Sequence, residues 1–326
     1  MIKRISILMM AMLPAMLWAQ FAPAAGLPGS TAMHADSSAF VAWATGCTVE
    51  RGLQRIDKPS LGVANFGEEA LALGKPGGTM DVVSLGDGGV ATLTFDSPIY
   101  NGEGPDFAVF ENGFANAQHP DEYFLEIAFV EVSSDGENFF RFPAVSNVPF
   151  ETQLNGSGTI VPTLIHNFAS KYEVFYGTPF DLDEVEDNAL LDKNRITHVR
   201  LIDVVGSINP EYATYDSEGH IVNDPFPTPF GSSGFDLDAV GVIHDLAHND
   251  VPEHENEAVA LYPNPVKDQL NVSAKHLQLV EVFNVVGQQI MASEENVINL
   301  CQLMQGVYFV RVSCGDGVIT KRIVKQ

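Results

Sequence analysis

Along most of the chain, apolar and polar positions alternate in short runs, the period of strands with one buried face. Ala91-Thr92-Leu93-Thr94-Phe95 follows this rule cleanly. The runs 106–111 and 124–132 are apolar on both faces, as strands in the middle of a sandwich are. Val82-Val83-Ser84-Leu85, Phe139-Phe140-Arg141-Phe142, residues 196–205 and residues 234–244 add further strands. Residues 37–43 read as a short helix. Glycine-rich turns at 74–78 and 86–89, with Ser134-Asp135-Gly136, separate the strands. Residues 147–188 carry few strand signals and read as long loops. The pattern predicts an all-β chain whose larger unit, residues 22–246, is a β-sandwich with long loops.

A second, smaller pattern occupies residues 259–326. Leu270-Asn271-Val272 and Val280-Glu281-Val282-Phe283-Asn284 alternate, and residues 307–312 meet 318–324 across Gly315-Asp316-Gly317, a hairpin signal. Tyr262-Pro263-Asn264-Pro265 fixes two φ angles and removes two donors, so it reads as a stiff entry at a sheet edge. These elements predict a small, immunoglobulin-like β-sandwich. Residues 247–258, acidic and without an apolar run, form the linker.

Residues 1–19 combine Lys3 and Arg4 with an apolar run from Ile5 to Trp18 and the small Ala19, the make-up of a secretory signal peptide. No later stretch is apolar enough to span a bilayer. The formal charge of −25 is concentrated in residues 20–258, which hold 37 acidic and nine basic side chains. Such a surface repels phosphate and makes nucleic acid a poor partner. Of the three cysteines, Cys301 and Cys314 are placed to pair in an oxidising compartment, with Cys47 left over.

The terminal segment resembles the C-terminal sorting domain of the type IX (Por) secretion system of Bacteroidota. The resemblance rests on Tyr262, Pro263, Asn264 and Pro265, on Gly287 after Val282-Phe283-Asn284-Val285-Val286, on Gly306 and Tyr308, and on the basic end from Lys321 to Lys325. It implies an address label: the secretion machinery and its sorting and cleavage apparatus are partners, and the chain ends on the outer-membrane surface or outside the cell. The larger unit is similar to discoidin-type, galactose-binding-like jelly rolls. That likeness lies in Val130-Glu131-Val132-Ser133-Ser134-Asp135-Gly136, in His198-Val199-Arg200-Leu201 and in Phe235-Asp236-Leu237-Asp238-Ala239-Val240. It implies a jelly-roll β-sandwich and leaves the function open.

Candidate chemistry is sparse. No G-x-S-x-G elbow occurs, and His254-Glu255 lacks the second histidine of a zinc protease. No catalytic residue is assigned. The many acidic pairs keep a glycosidase-like hydrolase as one alternative, and a structural or adhesive surface protein as another. Calcium suits the acidic loops better, as a structural ion held by carboxylate, amide and carbonyl oxygens. Its candidate ligands are Asp106, Glu111 and Asn112 around one strand, and Asp236 and Asp238 on another, with a simple ion pair to Arg200 as the plainer reading. Tyr212, Tyr215, Phe226 and Phe230 are the candidate ligand-binding rings, because the prolines beside the last two preorganise an exposed surface. The expected task is capture of a glycan or small nutrient outside the cell.

Overall fold

The computed structural model describes residues 21–248, 259–285, 287–314 and 317–326. The predicted signal peptide and most of the predicted linker lie outside these residues. The chain divides into two compact units between residues 249 and 250. No described helix is long and apolar enough to cross a membrane.

The first unit contains strands β1 (Met33–His34), β2 (Ala42–Trp43), β3 (Gly46–Glu50), β4 (Val83–Ser84), β5 (Val90–Ile99), β6 (Phe107–Glu111), β7 (Phe114–Ala115) and β8 (Tyr123–Phe124). It continues with β9 (Ala128–Ser133), β10 (Phe140–Arg141), β11 (Val145–Ser146), β12 (Ile165–His166), β13 (Tyr176–Phe180), β14 (Ile196–Asp203) and β15 (Asp236–Val242). Two antiparallel sheets form the sandwich. One runs β1-β13-β6-β15-β2, with β4 also on β15; the other runs β10-β9-β14-β5-β3.

Between the sheets, Phe107, Val109, Val240 and Val242 of the first meet Leu93, Val130, Val199 and Leu201 of the second, all buried. Burial of this alternating set is what holds the layers together, at roughly 25 cal/mol for each Å² of apolar surface removed from water. The first sheet is covered on its outer side as well. Phe40 and Trp43 pack on Phe110 and Ala239, which is why β6 and β15 are apolar on both faces. A second core, with Leu125, Ile127, Phe129 and Phe168, packs the 144–168 segment down.

Two local expectations change. Residues 37–43 form no helix: a turn from Ser37 to Phe40 leads into β2, which pairs with β15 while Trp43 and Phe40 dock on Phe110. The 147–188 segment is not all loop, since β13 pairs with β6 inside the first sheet. Gly177 and Pro179 disguise β13 as a turn sequence. Gly177 is there for clearance, because a Cβ would stand 2.7 Å from the Phe110 ring.

The second unit is a smaller sandwich of β16 (Val259–Tyr262), β17 (Gln269–Ala274), β18 (Leu277–Phe283), β19 (Gln289–Ser293), β20 (Val297–Asn299), β21 (Gly306–Cys314) and β22 (Gly317–Lys325). Its sheets run β16-β17-β20 and β19-β18-β21-β22 around Leu270, Val280, Val310 and Ile323. The asparagine between the two prolines has a specific task. Its amide nitrogen donates to the Arg322 carbonyl at 3.0 Å, and its oxygen accepts from the Val324 amide at 2.9 Å, so the entry segment is pinned to β22. Gly287 turns the chain at φ +79. The Tyr308 hydroxyl donates to the Met304 carbonyl, and Cys314 is buried in this core while Cys301 is exposed. The tip of the predicted hairpin, residues 315 and 316, lies outside the described residues.

Candidate functional site

Strand direction gathers acidic residues at one end of the larger sandwich. Glu111 closes β6 and Asp236 opens the antiparallel β15, where Leu237 lies opposite Glu111 and Asp236 opposite Ser84. On the facing sheet Asp203 closes β14 opposite Ala128, and Glu126 precedes β9 by two residues. Asp224 and Asp87 join from loops. All six are at most 7 % exposed.

Hydrogen bonds hold five of these six carboxyl groups. Glu111 Oε2 accepts from the Gly113 amide at 2.7 Å and the Ser170 hydroxyl at 2.8 Å. Asp203 accepts from the amides of Phe235 at 2.7 Å and Gly88 at 2.9 Å. Asp224 Oδ2 accepts from the Ile127 amide at 3.2 Å, and Asp87 from the Ile56 amide at 2.7 Å. Asp236 accepts from the Ser84 hydroxyl and, at 3.0 Å, from Asn112. Glu111 Oε1, Asp224 Oδ1 and Ser233 Oγ are buried without a hydrogen-bond partner among the described residues.

Burial pushes the carboxyl groups of Glu111, Glu126, Asp203 and Asp224 well above their ordinary range, and the neighbouring carboxylates push the same way. Burial also raises Asp236 to about 6, against Ser84, Asn112 and the charge of Arg51, and raises Asp87 to about 6. Arg51 itself is spent on backbone carbonyls of Phe66, Gly67 and Ser84. The end of the sandwich is therefore a buried cluster of carboxyl groups whose charged forms are disfavoured as long as nothing compensates them.

The five residues expected to ligate calcium do not share one place. Asp106 sits at the far end of β6, five residues from Glu111 and so about 16 Å away along the strand. It is occupied there by the amides of Gly102 and Leu182 and by His244 Nδ1 at 2.8 Å. Asp238 accepts from the amides of Gly77 at 2.9 Å and Gly78 at 3.2 Å, and burial raises it to about 6. Glu111, Asn112 and Asp236 do come together. Arg200 pairs with none of them: it lies opposite Glu131 on the neighbouring strand and bonds its carboxylate. Glu126, Asp203 and Asp224 were the residues a reading of acidic loops passes over. A signal for the first two existed, a lone carboxylate inside an otherwise apolar run, which burial makes costly unless something offsets it.

The candidate rings also separate. Phe226 is buried, Tyr212 is half-buried, and Tyr215 and Phe230 are 48 % and 64 % exposed. None of them lines any of three surface clefts. A cleft of about 560 Å³ is walled by Trp43, Phe95 and Leu73, with Asp96, Asp245 and His248 around it. Thr45 donates to Asp96 at 2.9 Å, and the His248 ring nitrogen lies 2.8 Å from Asp245. A second, of about 580 Å³, is acidic, with Asp183, Glu184, Glu186 and Asp187 beside Arg141 and Lys193. A third, of about 330 Å³, lies over Leu154 and Ile160.

No curated protein matches the chain. Among solved structures, a β-glucuronidase of Faecalibacterium prausnitzii is 11 % identical, with 76 % of this chain aligned to 38 % of that one at a TM-score of 0.18. A β-glucuronidase of Ruminococcus gnavus in complex with uronic deoxynojirimycin is 10 % identical, over 72 % of this chain and 35 % of that one, also at 0.18. The chain thus spans little more than a third of these proteins, and likeness at that level carries no argument about activity. The terminal unit is different. Residues 260–326 match the secretion system C-terminal sorting domain, which marks the chain for export by type IX secretion to the cell surface or the extracellular space.

Proposed function

We propose that the exported larger unit is a binding module that captures a glycan or small polar nutrient, seated in the cleft between Trp43 and Phe95. The observation that carries this reading is the make-up of that cleft. Aromatic and aliphatic walls supply faces on which a sugar ring can stack, and Asp96, Thr45, Asp245 and His248 supply donors and acceptors at its edge.

A hydrolase reading is less well supported by the acids present. The most perturbed carboxylates are sealed inside the sandwich, away from any substrate. Two of those around the acidic cleft are engaged and shifted the wrong way for a general acid: His166 and Asn167 lower Glu184, and Lys193 lowers Asp187.

The test uses intrinsic fluorescence. Trp18 and Trp43 are the two tryptophans, so a chain lacking the predicted signal peptide reports from Trp43 alone. Titration with galactose, N-acetylglucosamine, glucuronic acid and short oligosaccharides is expected to give a saturable change for at least one, abolished in Asp96→Ala. Binding that survives Asp96→Ala, no response to the panel, or product formation from the oligosaccharides would overturn the reading.

A further inference from the structure

Carboxylates packed into one end of a sandwich repel one another, and here the hydrogen bonds to two of them reach only one oxygen each. Gly113 and Ser170 bind one oxygen of Glu111, and Ile127 binds one oxygen of Asp224. The other oxygen of each is buried and without a partner among the described residues, as is the wholly buried Ser233 hydroxyl. Glu126, 5 % exposed, makes no hydrogen bond to any described residue, and the charges of Asp236, Glu111, Asp224 and Asp203 all bear on it. The backbone is fitted closely around this group. A Cβ at Gly113 would stand 2.8 Å from Glu111 Oε2, and one at Gly234, where φ is +68, 2.7 Å from Asp203 Oδ1.

We propose that this end of the sandwich is a divalent-cation site, with Glu111, Glu126 and Asp224 as carboxylate ligands, Ser233 as a hydroxyl ligand, and Asp203 and Asp236 completing the negative surround. Every donor is oxygen, with no thiol or imidazole among them, which selects a hard cation. The ligands come from separate segments in an irregular arrangement. That suits calcium, which accepts six to eight oxygens in flexible geometry, better than magnesium, which demands an octahedron. Among the described residues no three His, Cys, Asp or Glu side chains already stand as a finished ligand set. Glu126 and Glu111 are the two long side chains with the reach to close on the ion.

The proposal is independent of the sugar cleft and is tested without any sugar. The full chain, treated with EDTA and dialysed, is titrated with calcium chloride and separately with magnesium chloride by calorimetry, and its unfolding is followed by heat. One calcium per chain is expected, with magnesium weaker. A hundredfold excess over Kd should raise Tm by roughly 5–10 °C. Glu126→Gln and Asp224→Asn should each weaken calcium binding at least tenfold, whereas Glu218→Gln on the surface should not. Without calcium, Glu126→Gln should unfold no lower than the unsubstituted chain, because it exchanges one buried polar group for another at a side chain that holds no hydrogen bond among the described residues; a purely structural glutamate would show a fall. A folded wild-type chain that neither binds calcium nor gains Tm overturns the proposal, even if both variants fail to fold. Wild-type affinity in Glu126→Gln and Asp224→Asn overturns it equally.

Discussion

Replacing Glu131 by glutamine tests how the outer face of the second sheet is held. Glu131 lies on β9 opposite Arg200 of β14 and Arg141 of β10. One carboxylate oxygen receives Arg141 Nε at 2.9 Å and the other receives Arg200 Nε at 2.7 Å. The glutamate side chain is 8 % exposed, while those of Arg141 and Arg200 are 43 % and 30 % exposed. At this separation one ion pair is worth about 6 kcal/mol in gross Coulomb energy for an effective dielectric of 20. Desolvation of the buried glutamate and screening of the half-open arginines remove most of that. Losing charge assistance from two such bonds should then cost about 2–3 kcal/mol, somewhat less than a fully buried pair broken by loss of one partner. The arginines stay anchored, because Arg200 stacks 3.6 Å over Phe139 and Arg141 4.2 Å over Phe129. In a chain lacking the predicted signal peptide and its Trp18, urea unfolding followed by Trp43 fluorescence reads the larger unit alone, since the tail has no tryptophan. The loss should shrink only in part in 1 M salt, because the glutamate is buried. Asp36→Asn, which breaks the surface pair with Lys75, should move the midpoint less. A Glu131→Gln midpoint unchanged within error, or moved no further than that of Asp36→Asn, would refute the reasoning.

Other expectations are simpler. Lys171 is 4 % exposed, with its ammonium donating to the carbonyls of Pro162 and Ile165, and burial lowers it to about 7 from an unfolded value near 10.5. The unfolded chain therefore binds more protons between pH 7 and pH 10.5, so this group makes stability rise with pH across that window. The full effect is on the order of 5 kcal/mol. Lys171→Met should flatten the rise in urea midpoint between pH 7 and pH 9; an unchanged slope would count against a charged Lys171 in the unfolded state as its source. Deleting residues 259–326 should leave the larger unit in the periplasm, read by fractionation and immunoblot, and equal export of the truncated chain would remove the role assigned to the tail.

The alternation of apolar residues in 91–95 and in 270–272, and the doubly apolar runs 106–111 and 124–132, made an all-β chain with two sandwiches legible from sequence, because strand periodicity and burial are local properties. So was the tail motif: prolines on either side of Asn264 restrict the backbone whatever surrounds them, and the sorting label is carried by contiguous residues. Tertiary structure decided the rest. Gly177 and Pro179 hide β13, and the glycine's reason for being in a strand is the ring of Phe110 on the neighbouring strand. Asp106 and Glu111 look like one site in a line of text and stand at opposite ends of a strand. Glu126, Asp203 and Asp224, far apart in the chain, meet only because antiparallel pairing brings the end of β14 beside the start of β9. A site built from the ends of several strands depends on how the sheets close on each other, and no single stretch of sequence contains that information.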